Sequence, residues 1–239
     1  MKMTPGAKMM FLIKRKATTS REELVAHWFA NHMPIVIDSQ LANAEKGRLH
    51  ATKYLATLFD ADRSGQHPWD GVAQLWWDRA LPMPAEPFGL EPTDSFQERA
   101  EPYWPWATEE MIVIDGDLPA EPLTLNRPFP TTRSGFFKVT FLVAAQDNTD
   151  YDAFFQHWRT VHADNVAGVM HKVGGHRYVI SHSMHPAEAP FAGMAELYFA
   201  NEDQWRDYKA TIQPDGMEQW AADEGTLVLR AHTEMIGIP

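Results

Sequence analysis

The chain has 239 residues, 44% apolar and 22% charged, with 32 acidic against 21 basic side chains and a formal charge of −11. This is a globular composition, which excludes collagen-like and disordered chains, and its negative balance disfavours nucleic acid and anionic membrane surfaces as partners. The lack of cysteine excludes disulfides, thiolate nucleophiles and Cys-ligated metal centres. The apolar run Met9 to Ile13 is far shorter than the roughly twenty residues of a membrane span, and it meets Lys14-Arg15-Lys16. No spanning helix or secretion signal is expected, and a reducing cytoplasm suits the chain.

In chain order, Met9 to Arg15 reads as a strand. Thr19-x-x-Glu22 places a hydroxyl N-cap three residues before a carboxylate and predicts a helix through His27-Trp28 to His32. Short aromatic and β-branched runs at Ala51 to Phe59, Val72 to Asp78 and Met111 to Ile114 predict three further strands. A Pro-rich insert at 81–106 is expected to replace much of a second helix with an irregular lid or loop, and a Pro-rich linker spans 116–135. Phe137 to Val143 alternates with period two, a strand with one apolar face, and Thr149-x-x-Asp152 predicts the next helix start. Strands at His176 to Met184, Met194 to Phe199 and Thr226 to Thr233 follow, with a helix over Glu202 to Ala210 and a helical stretch near Met217 to Asp223.

The order repeats because the sequence does. Phe11-Leu12-Ile13 through His27-Trp28 to His32 overlays Phe141-Leu142-Val143 through His157-Trp158 to His162 at a constant offset of 130. Gly71-Val72-Ala73-Gln74-Leu75 answers Gly193-Met194-Ala195-Glu196-Leu197 at an offset of 122, and Tyr54 answers Tyr178. Each copy reads β-α-β-β-α-β, an α+β ferredoxin-like module, so two modules are expected, at 1–115 and 136–239.

The doubled His-Trp-x-x-x-His helix and the Gly-x-Ala-[Gln/Glu]-Leu strand resemble the EthD family of dimeric α+β barrels. The resemblance implies two ferredoxin-like modules packed sheet to sheet, supplied here by one chain. Relatives include cofactor-free monooxygenases, isomerases, decarboxylases and dehydratases acting on aromatic or polyketide-like compounds, and haem-handling proteins, so the fold does not fix the chemistry.

At 100° per residue Leu24, Trp28, His32 and Ile35 share a sector, as do Phe154, Trp158 and His162, and this stripe should face the sheet. His32 and His162 at its end are candidate general acid–base groups; the alternative is a helix-terminal His bonded to a carbonyl. Glu23 has His27 as a potential partner. Glu196 and Gln74 lie on the opposite strand face from Ala195, Leu197 and Phe199, where a buried Glu196 would resist ionising and suit proton transfer, or else sit at a wet rim. Tyr178 is a candidate donor to a developing oxyanion, and Tyr54, His50, His176, Trp28 and Trp158 are candidate substrate contacts or core residues.

No metal site is expected: His27/His32 and His157/His162 are five apart, not the three or four that share a helix face. GxGxxG, GxxxxGK[ST] and GxSxG are absent, so no organic cofactor and no serine triad are expected. The reading is a cofactor-independent lyase or isomerase acting on a small aromatic or polyketide-like compound, with a homodimer of the fused chain allowed. The alternatives are a haem-handling protein or cofactor-free monooxygenase, and a carrier of a hydrophobic metabolite.

Overall fold

The computed structural model describes residues 1–61, 69–118 and 128–239. Its strands are β1 (Lys2–Met3), β2 (Ala7–Ile13), β3 (Lys53–Phe59), β4 (Gly71–Trp77), β5 (Trp106–Asp115), β6 (Thr131–Ala145), β7 (Arg177–Ser183), β8 (Gly193–Phe199) and β9 (Ala221–Ile238). Its helices are α1 (Arg21–His27), α2 (Met33–Glu45), α3 (Tyr151–His157), α4 (Ala163–Val173) and α5 (Glu202–Thr211). Every predicted strand is present; β5, β6 and β9 are longer than read, β6 starting at Thr131 inside the expected linker, and the stretch near 217–223 is one short 3₁₀ turn, Met217–Gln219.

Two compact units emerge. The C-unit gathers Met1–Thr4, Thr108–Ala120 and Gly135–His232; the N-unit gathers Pro5–Ala107, Glu121–Ser134 and Thr233–Pro239. β5 and β9 each have residues in both units. Residues 119–127 of the expected linker lie outside the described residues.

In the N-unit β4 pairs antiparallel with β2 and β3, and the end of β9 lies beside β3. Met9, Phe11, Ile13, Tyr54, Ala56, Leu58, Ala73, Leu75 and Trp77 share the face that packs on Leu24, Trp28, Met33 and Ile37. Lys8, Gln74 and Trp76 project from the other face and are buried too. This two-sided burial makes β2 a weak alternation in sequence. Burial does not extend to Ile35, which is 55% exposed and not part of the apolar stripe.

In the C-unit β8 pairs antiparallel with β6 and β7, β7 with β5, and β5 with β1, while β9 lies beside β6. Phe137, Val139, Tyr178, Ile180, Ala195, Leu197 and Phe199 face Phe154, Trp158, Val166, Met170, Trp205 and Tyr208.

Both helix starts are capped one residue later than read. Ser20 accepts from the Glu23 amide and Asp150 from the Ala153 amide, each at 3.1 Å, while Thr149 donates to the Gln146 carbonyl. Glu23 binds Arg99 at 2.8 Å, not His27.

Candidate active site

Between α1 and α2, and again between α3 and α4, the helix widens into a π turn, Trp28–His32 and Trp158–His162. The Met33 and Ala163 amides bond to the Trp28 and Trp158 carbonyls five residues back. The i→i+5 pattern brings residues five apart to one side, which an α-helix does not do. His157 and His162 therefore both face Asp215. The spacing argument against a shared face is corrected here, although no group of three or more His, Asp or Glu suited to a metal occurs among the described residues.

Each π turn begins with an indole seated on a glycine. A Cβ on Gly71 would lie 2.5 Å from the Thr57 carbonyl and 3.0 Å from the Trp28 ring; on Gly193 it would lie 2.7 Å from the Ser181 carbonyl and 3.1 Å from the Trp158 ring. The turn ends in a histidine bound to an aspartate. His162 Nδ1 meets Asp215 Oδ2 at 2.8 Å, and His32 Nδ1 meets Asp94 Oδ2 at 2.6 Å.

The two carboxylates come from unlike segments. Asp215 sits in the loop after α5, where Asn165 Nδ2 donates to its Oδ2 at 2.7 Å and the Met217 amide to its Oδ1 at 3.2 Å. Asp94 sits in the Pro-rich insert, which is irregular as expected, and its Oδ1 accepts from the Phe96 and Gln97 amides at 2.9 Å. Phe96 from the same insert packs on His32 and Trp28, with ring centroids 4.5 and 5.4 Å away.

Burial alone would raise both carboxyls, but hydrogen bonds from His162, Asn165 and the Met217 amide hold Asp215 below the usual carboxylate range. Bonds from His32 and the Gln97 and Phe96 amides do the same for Asp94. Burial lowers His162, outweighing the pull of Asp215, and His157 lowers it further. Near neutrality the C-unit pair is thus an ionised carboxylate and a neutral imidazole. With its Nδ1–H donated to Asp215, that ring has its lone pair at Nε2, the arrangement of a general base.

The sequence-predicted residues divide between two sheet faces. His162, Trp158 and Tyr178 lie on the helix-covered face of the C-unit, and His32, Trp28 and Tyr54 on that of the N-unit. Glu196 and Gln74 lie on the opposite faces, both buried. Glu196 is buried rather than at a wet rim, and Lys138 Nζ donates to it at 2.6 Å, the same ammonium lying 4.7 Å from the Tyr198 ring. Gln74 donates to Thr57, whose hydroxyl donates to Glu234. Trp28 and Trp158, each 1% exposed, are core residues in this state. His50 bonds to the Arg48 carbonyl of its own segment, and His176 directly precedes β7 with its Nε2 buried and unbonded.

Asp94 and Asp215 escaped the sequence reading. Their offset of 121 follows the 122 of the Gly71 and Gly193 strands, and each follows closely on a proline, Pro92 or Pro214. That offset was the available signal.

Residues 146–230 match the family model of the EthD domain. A search of curated proteins gave no match. Among solved structures, the chain is similar to an anthrone oxidase-like protein at TM-score 0.55 and 8% identity, covering 98% of this chain and 94% of that one. It is also similar to a protein described as a monooxygenase from Fusobacterium nucleatum, at TM-score 0.51 and 8% identity over 97% and 94% of the two chains. A protein described as a chlorite dismutase matches at TM-score 0.51 and 9% identity over 95% and 94%. These likenesses establish a shared α+β fold and, at such identities, nothing of the chemistry. Residues 146–230 therefore carry an EthD-like domain, within a chain that shares its mixed α+β fold with these solved structures.

Proposed function

We propose that the chain is a cofactor-independent lyase or isomerase that moves protons on a small aromatic or polyketide-like compound, with His162 as the base and Asp215 as the residue that orients it. In this reading 1–115 and 136–239 are two fused EthD-like modules of ferredoxin-like strand order, and His32 with Asp94 is the corresponding pair of the first. Trp158 and Tyr178 wall the side on which substrate meets His162. Lys138 with Glu196, and Gln74, stabilise the opposite faces.

The observation that carries the reading is the His162–Asp215 pair itself, His162 Nδ1 standing 2.8 Å from Asp215 Oδ2, with burial lowering the imidazole and hydrogen bonds lowering the carboxyl. An Asp–His pair of this kind sets the tautomer and stabilises the imidazolium formed when the ring takes a proton.

The test is deuterium exchange in D₂O over a panel of small aromatic and polyketide-like carbon acids, read by mass spectrometry. Wild type is expected to exchange a carbon-bound proton of at least one compound. His162→Asn should lower that rate by about a hundredfold or more, and Asp215→Asn should lower it while leaving the fold intact. Undiminished exchange by a variant carrying both His32→Asn and His162→Asn would contradict the assignment.

The same pair favours a second reading. An imidazole whose Nδ1 is held by a carboxylate leaves Nε2 for a metal, so His162 or His32 fits the ligand end of a haem site, where the iron would supply oxygen and redox chemistry. A Soret shift on adding haemin that is lost in the double His variant supports this reading; a flat difference spectrum removes it.

A further inference from the structure

We infer that the N-unit carries a second reactive centre, a serine–histidine dyad in which Ser95 is the nucleophile and His27 its base, and that it cleaves carboxylic esters with good leaving groups, such as aryl esters. The inference goes beyond the proton-transfer reading and uses none of that reading's residues.

His27 ends α1, Asn31 lies in the π turn that follows, and Ser95 comes next to Asp94 in the Pro-rich insert. His27 Nδ1 stands 2.9 Å from Ser95 Oγ, and Asn31 Nδ2 stands 2.9 Å from that Nδ1 and 3.0 Å from that Oγ. An amide nitrogen only donates, so the shared Nδ1 keeps its lone pair and the Ser95 hydroxyl directs its proton to it. That is the relation of a nucleophile to its base. The serine is also held through its backbone: its carbonyl accepts from Arg99 Nη1 at 2.7 Å, while Arg99 Nε holds Glu23. Ser95 and His27 are half-buried and Asn31 is exposed, so the cluster stands at the surface and not in the core. The sequence holds no GxSxG motif; the insert assembles the dyad across 68 residues. At the offset of 121 that relates Asp94 to Asp215, Ser95 is matched by Gly216, where a Cβ would lie 3.6 Å from His157 Cε1. The C-unit therefore sets a glycine against its histidine where the N-unit sets a hydroxyl.

Ser95 Oγ adds to the ester carbonyl carbon as its proton passes to His27 Nδ1, and the carbonyl π pair moves to oxygen. Asn31 Nδ2, released from Oγ, donates to that oxyanion. The electron pair returns, the bond to the leaving oxygen breaks, and the leaving group takes the proton from His27. Water then adds to the acyl-Ser95 ester by the same steps, which releases the carboxylic acid and restores the serine. Glu23 is engaged by Arg99, and no carboxylate bonds His27 among the described residues, so the imidazolium is less stabilised than in a triad. Phenoxide leaving groups, which need little protonation, suit such a dyad; amides do not.

The experiment treats the full chain with a fluorophosphonate probe, which phosphonylates an activated serine with loss of fluoride, and reads the intact mass and the modified peptide. One adduct per chain is expected, on Ser95, absent from Ser95→Ala and formed about a hundredfold or more slowly in His27→Gln. Rapid acid quenching of wild type with p-nitrophenyl acetate should capture acetyl-Ser95, and hydrolysis of that ester should fall to background in Ser95→Ala. The modified peptide of the wild type gives a reading independent of how the variants fold. No adduct, an adduct on another side chain, labelling of Ser95 at an equal rate in His27→Gln, or ester hydrolysis undiminished in Ser95→Ala overturns the inference. None of these results bears on deuterium exchange through His162, so the two readings fail separately.

Discussion

His182 is an imidazole stripped of water. It is 3% exposed, its ring stacks on Phe155 at 4.2 Å and leans on Trp158 at 4.9 Å, and its Nε2 has no hydrogen-bond partner among the described residues. Burial, with the Arg159 charge, pushes it down from 6.5 to about 3. Between those values the unfolded chain binds the proton and the folded chain does not, so stability rises with pH. The contribution is complete above pH 6.5 and is lost on acidification to about pH 3, at about 1.4 kcal/mol per pH unit. His182→Gln should flatten the dependence of the urea midpoint on pH in that window; an unchanged slope would contradict the burial argument. The lowered His162 acts in the same direction, and the lowered Asp94 and Asp215 add to the loss below the carboxylate range. At this scale the repeat in the sequence marks His32, His162 and Tyr178 as equivalent or candidate positions. It did not reveal their aspartates, which reach the histidines across 62 and 53 residues from loops without periodicity.

Among the elements, the π turn is the feature that an α-helical wheel misrepresents. Trp28 and His32, or Trp158 and His162, show the same spacing whether the turn closes at i+4 or i+5, so the sequence predicts the helix and not its widening. The indole that starts the turn requires a glycine opposite. Gly193→Ala should cost about 1–3 kcal/mol by overpacking, since the new Cβ would press on the Ser181 carbonyl and the Trp158 ring. Urea denaturation checks this, and an unaltered midpoint would show that the indole moves aside freely. Strand positions were legible from short aromatic and β-branched runs bounded by Gly, Pro and Asp. The caps were displaced by one residue because Ser20 and Asp150 stand beside Thr19 and Thr149, and each neighbour is a competent acceptor.

At the scale of the whole chain, the repeat at offset 130 was legible and the sharing of strands was not, because a strand's hydrophobic pattern does not name its partner. β9 gives Leu229 and Ala231 to the buried residues of the C-unit, and its last residues give Met235 to the core of the N-unit. In the N-unit Arg133 also binds the fully buried Glu234 at 2.5 Å, and Gly237 lies against Tyr54. Met235→Ala should therefore destabilise the N-unit by about 2–5 kcal/mol, although the last predicted strand ended at Thr233. A midpoint unmoved in urea would mean that these terminal residues are dispensable. Function rests on a smaller question, the protonation of one ring, which ¹⁵N NMR of imidazole-labelled protein measures directly. At pH 7 His162 should show a protonated Nδ1 and a bare Nε2, and Asp215→Asn should perturb that ring. A doubly protonated imidazolium at pH 7, or a ring with the proton on Nε2, would contradict the account.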